Sequence, residues 1–115
     1  MTLFVIEHSP GPTWVDGIGF REQPGIGSHL EFMRTLHDRG VLVFGGPFLD
    51  DARGAHVGMA VVRAESVEAA EALAAEDASV VADLLRCRVR PWMVAMGTAL
   101  AEVDWKPKDG RGDRG

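Results

Sequence analysis

From Thr2 to Ile6 the chain is apolar and rich in β-branched and aromatic residues, and it runs into Ser9-Pro10-Gly11-Pro12, where prolines remove ladder donors. This predicts a first strand near residues 2–8. The 19 residues from Ser9 to Gly27 hold three prolines and five glycines. That is long for a plain connector in a compact domain, and it predicts a lid or binding loop with Trp14, Ile18 and Phe20 as apolar anchors. Ser28-His29-Leu30-Glu31 has the form of a capping box, so a helix is expected to begin there. At helical spacing His29, Phe32, Met33, Leu36 and His37 share one face, Glu31, Arg34, Thr35 and Asp38 the other, and Gly40 supplies a stop. Val41 to Phe44 reads as a short strand closed by Gly45-Gly46-Pro47. Asp50 to Gly54 reads as a polar turn, and a third strand is expected over about His56 to Arg63.

Ser66 can cap a second helix in which Val67, Ala70, Leu73 and Ala74 form a thin apolar stripe beside an acidic face. Asp77-Ala78-Ser79 repeats the capping chemistry, which predicts a separate short helix and places Asp77 in the break between two helices. From Arg86 to Gly97 the pattern alternates as in a long last strand, with Arg86, Arg88, Arg90 and Trp92 on one face. Beyond Val103 charge replaces periodicity. The expected organisation is one domain over residues 1–100 and a charged, disordered tail over 101–115.

The order β, α, β, β, α, short α, β is that of a ferredoxin-like split βαβ sandwich: an α+β fold with a four-stranded antiparallel sheet and both main helices on one face. Such a sheet needs a cover for its second face. A twofold homodimer, sheet against sheet, is the expected partner.

Composition narrows the function classes. Of 115 residues 46% are hydrophobic and 25% charged, which suits a soluble globular domain. The formal charge of −5 supplies no basic field for nucleic acid or an anionic membrane. No apolar run approaches a membrane span and no signal-like segment is present. The single cysteine, Cys87, rules out an intrachain disulfide and a thiolate zinc cluster, which fits a cytoplasmic setting.

His29 with Phe32-Met33 and Leu36, Gly40, Gly45-Gly46-Pro47-Phe48, Asp50, Ser66-x-Glu68-x-Ala70, Ala75-x-Asp77 and Arg90-Pro91-Trp92 stand in an order that resembles the YCII-related domain family over residues 2–97. The resemblance implies a dimeric α+β barrel. It also implies an active-site pair, a His at the start of the first helix and an Asp after the second, which fall on His29 and Asp77. Gly46, Pro47, Arg90 and Trp92, within the same motifs, are the candidate substrate-binding residues. In the family the Asp is commonly followed by Pro and an aromatic residue, whereas here Ala78-Ser79 follows.

A His on a rigid helix beside a carboxylate can take a proton from a phenol or from carbon next to a carbonyl, the carboxylate fixing the tautomer. This chemistry calls for neither cofactor nor metal. His37 is eight residues from His29, too far to share an ion, and His8 and His56 are expected at strand ends without a partner at ligand spacing. Two functions follow. One is a cofactor-independent lyase or isomerase acting on a small hydroxylated or enolisable ring through His29 and Asp77. The other is a non-catalytic module that binds a small ligand or regulates, in which His29 is a core residue and Asp77 a helix cap.

Overall fold

The computed structural model describes residues 2–50 and 57–98. The elements are β1 (Thr2–Pro10), a single 3₁₀ turn (Phe20–Glu22), α1 (Ile26–Asp38), β2 (Leu42–Pro47), β3 (Gly58–Ala64), α2 (Val67–Ala74), α3 (Ala78–Val81) and β4 (Leu85–Trp92). The strands form one antiparallel sheet in the order β2-β3-β1-β4. This is the expected ferredoxin-like α+β arrangement. His56, Asp51 and the tail from residue 99 onward, including Trp105, lie outside the described residues.

Strand alternation builds the core. Phe4 and Ile6 of β1 and Ala60, Val62 and Ala64 of β3 point to the helix side, where they meet Leu36 of α1 and Ala70 and Ala74 of α2. A second cluster of Ile26, Val57, Leu84 and Leu85 closes the end of the sheet from which the long loop departs, with Trp14 and Phe20 packed against it. Ser66 caps α2 as expected, its hydroxyl accepting the Ala69 N–H at 3.1 Å.

Several boundaries differ from the sequence expectation. β1 continues to Pro10 because it lies beside β4, in register with Leu85, and only its other edge has run out of partner. Gly45, Gly46 and Pro47 do not close β2 but belong to it, in register with Ala60, Met59 and Gly58. As β2 is an edge strand, Pro47 is tolerated there. α1 starts at Ile26 behind Gly25, whose φ of 90° is a left-handed turn that glycine adopts without strain. Ser28 is thus inside the helix, and Glu31 pairs with Arg34 at 3.0 Å instead of reaching back to a cap. His37 is exposed and sits 3.5 Å from Asp38. β4 ends at Trp92, short of the expected Gly97.

Candidate active site

His29 occupies the first turn of α1, on the face that carries Ile26 and Leu36 into the core, and is 6% exposed. Asp77 caps α3, where its Oδ1 accepts the Ser79 N–H at 2.9 Å and the Ser79 hydroxyl at 2.7 Å. Its other oxygen, Oδ2, lies 2.6 Å from His29 Nδ1. The carboxylate is therefore both helix cap and imidazole partner, and the two sequence readings of Asp77 describe one group. Ser79 stands where the family resemblance expects an aromatic, and it supplies two of the donors that hold this carboxylate.

Burial opposes the charge on Asp77, but the hydrogen bonds from His29 and Ser79 outweigh it and keep its carboxyl below the ordinary value. An ionised Asp77 accepts the proton on Nδ1, which leaves the lone pair on Nε2 at the far edge of the ring. That edge serves a cavity of about 210 Å³, which His29 lines and Asp77 does not.

The sequence reading missed His8. It continues the helix-side row Phe4, Ile6 on β1 and is 5% exposed, so the alternation alone carried the signal. Its ring stands edge-on to that of His29, with centroids 4.9 Å apart. Burial first, and then the neighbouring His29, push its pKa down to about 4, with Asp77 pulling weakly the other way. His8 is thus a neutral imidazole at ordinary pH. Its backbone is fixed as well, since its carbonyl accepts the Val57 N–H at 2.9 Å.

Phe20 contributes a wall, its ring edge-on to His29 at 5.8 Å. The loop that carries it is tied by Gln23, which is 2% exposed. The Gln23 amide donates to the Val15 and Ile18 carbonyls at 2.8 and 3.2 Å, and its oxygen accepts the Val15 N–H at 2.8 Å. From the segment expected as a loop, Ser9 to Gly27, Phe20 lines the cavity.

Of the candidate substrate-binding residues, Gly46 and Pro47 line the cavity with His29. Arg90 and Trp92 do not. They lie with Val5 and Glu7 on the opposite sheet face, where Arg90 is 3.6 Å from the Glu7 carboxylate. The ligand atoms of His8, His29 and Asp77 all fall within 4.8 Å of one another, a donor set that suits a borderline divalent cation. The 2.6 Å between His29 Nδ1 and Asp77 Oδ2 is that of a charge-assisted hydrogen bond. Two donors on one tetrahedral zinc stand roughly 3.3 Å apart, so a metal held by all three would require Asp77 to move.

No curated protein matches the chain. Among solved structures, 5-chloro-2-hydroxyhydroquinone dehydrochlorinase from Burkholderia phenoliruptrix AC1100, in complex with 2,5-dihydroxybenzoquinone, superposes with a TM-score of 0.58. The two sequences are 21% identical, and the match covers 79% of this chain and 93% of that one. The two share the antiparallel α+β fold described above. The sequence pattern of the YCII-related domain matches residues 3–93, and the chain belongs to that family.

Proposed function

We propose that this protein is a cofactor-independent acid–base enzyme of the lyase or isomerase type, acting on a small hydroxylated or enolisable ring. The observation that carries the reading is the buried 2.6 Å contact of His29 with Asp77 at the edge of a cavity that is otherwise mostly apolar. Asp77 orients the imidazole and balances the charge it gains. His29 Nε2 takes a proton from a ring hydroxyl or an acidic carbon, and the electron pair moves into the ring to expel a leaving group or shift a double bond. An apolar cavity of roughly 150 Å³ accepts benzene, so the volume here suits a single substituted ring. The structural neighbour, a dehydrochlorinase of a chlorinated hydroxyhydroquinone, is in keeping with elimination of this kind.

The test is chloride release from 5-chloro-2-hydroxyhydroquinone. Release by the wild type, abolished in His29→Gln and reduced in Asp77→Asn, is the expected result. Binding without turnover across chlorinated and enolisable single-ring compounds would overturn the enzymatic reading and leave the ligand-binding module in its place.

The proposed assembly is a homodimer through the helix-free side of the sheet. Its support is the apolar surface at that end, where Trp92 and Val94 are 40% and 45% exposed and Met93 and Met96 are 84% and 88% exposed. The proposed setting is the cytoplasm, in keeping with the free thiol of Cys87. No helix among the described residues is long and apolar enough to cross a membrane.

A further inference from the structure

His8 is a buried polar side chain whose ring makes no hydrogen bond within the described residues. Polar groups closed off from bulk water are normally satisfied, and one left open at a cavity wall is matched by what enters the cavity. A neutral imidazole offers one N–H donor and one lone pair. Facing the same space, His29 offers a lone pair at Nε2, because Asp77 holds its other nitrogen. The two imidazole rings stand edge-on with centroids 4.9 Å apart. That separation allows both to reach oxygens on neighbouring ring carbons, since each hydrogen bond spans about 2.8 Å. The remaining wall near them is Phe20, Met33, Leu42 and the glycines of β2 and β3, which offer shape but little polarity.

We propose that His8 is a second catalytic residue, which donates a hydrogen bond to the oxygen next to the one His29 deprotonates, so that the substrates are single rings with oxygens on adjacent carbons. This rests on the acid–base reading of His29 and Asp77. In the step, the hydroxyl proton passes to His29 Nε2, the O–H bond breaks and its electron pair stays on oxygen. The resulting imidazolium remains paired with the Asp77 carboxylate. The charge stays on the deprotonated oxygen and on the ring carbons ortho and para to it, and the His8 N–H, already fixed in place, holds the adjacent oxygen and stabilises the neighbouring anion through space without reorganisation. Neutral histidine suits this role because the donor is retained while no competing acid is introduced into the site.

The experiment uses two chromogenic probes, 4-nitrocatechol, with adjacent oxygens, and 4-nitrophenol, with one. Absorbance reports both binding and ionisation of the phenol. The wild type is expected to bind 4-nitrocatechol at least tenfold more tightly than 4-nitrophenol and to shift its spectrum toward the anion. His8→Phe should erase that preference while leaving 4-nitrophenol affinity within about twofold, and His8→Asn, which restores a donor, should recover part of it. His29→Gln should remove the spectral shift. Circular dichroism on each variant separates lost contacts from lost folding, and His8→Asn keeps the test open if His8→Phe does not fold. An unchanged preference in folded His8→Phe overturns the role of His8 and leaves the reading of His29 standing. A wild type that binds neither probe overturns both. A preference that appears only with added Zn²⁺ and vanishes in chelator overturns the direct hydrogen bond in favour of a metal held by the two histidines.

Discussion

Asp77 joins two helices that are far apart in sequence to one another through a single carboxylate, with Oδ2 on His29 of α1 and Oδ1 on Ser79 of α3. Its full burial means that any change there strands donors as well as removing a charge. Asp77→Ala should cost about 3 kcal/mol or more in urea denaturation, since three donors lose their acceptor at once. Asp77→Asn keeps one carbonyl oxygen for the cap and should cost less. A loss below about 1 kcal/mol for Asp77→Ala would contradict the buried arrangement.

Stability should fall in acid before the carboxylates titrate. His8 binds its proton near pH 6.5 when unfolded but only near pH 4 when folded, so between those values the unfolded chain holds more protons. Stability is then lost as the pH drops from about 6.5 to 4, by about 3 kcal/mol. Asp77 adds to the loss only at lower pH, because its folded value lies below the ordinary one. Thermal melts across this range in wild type and His8→Phe check it, the variant showing the flatter profile.

Gln23 closes the loop on itself with three hydrogen bonds through one side chain. Gln23→Leu keeps the bulk and removes them, and should lower stability by about 1–3 kcal/mol. The wall that Phe20 gives the cavity should loosen with it. Hydrogen exchange at the Val15 amide, which Gln23 holds, should rise in the variant well ahead of exchange in β1.

Two glycines at the cavity floor should respond differently. A Cβ on Gly58 would lie 2.8 Å from the Gly46 carbonyl oxygen and 3.0 Å from Pro47 Cα, so β2 and β3 would have to part. At Gly46 there is open space. Gly58→Ala should therefore destabilise by about 2 kcal/mol and disturb ligand binding, whereas Gly46→Ala should fold normally. Equal melting temperatures for the two variants would contradict this geometry.

Sedimentation at micromolar concentration should give a dimer, and Met93→Asp should shift it toward monomer, because a charge placed in a covered apolar surface goes unpaired. A wild-type monomer would remove the proposed sheet-to-sheet assembly.

The sequence by itself determined the elements and their faces. Alternation in Phe4, Ile6 and His8, the Ser66 cap and the apolar stripe of Val67, Ala70 and Ala74 are local properties, set by strand and helix period and by a hydroxyl within reach of its own helix. Those periods sufficed for the antiparallel α+β architecture, and the family motifs pointed to His29 and Asp77. Local signals misled where a non-local competitor won. The Ser28-x-x-Glu31 box yielded to a start at Gly25, and Gly45-Gly46-Pro47 was drawn into β2 by pairing with β3. Only the tertiary structure decided that His8 meets His29, and that Arg90 and Trp92 stand on the other side of the sheet from both. His8 and His29 are brought together by β1 and α1 packing across the core, and no spacing along the chain encodes that distance. Period two places a side chain on a face, but register and helix docking choose its neighbour there.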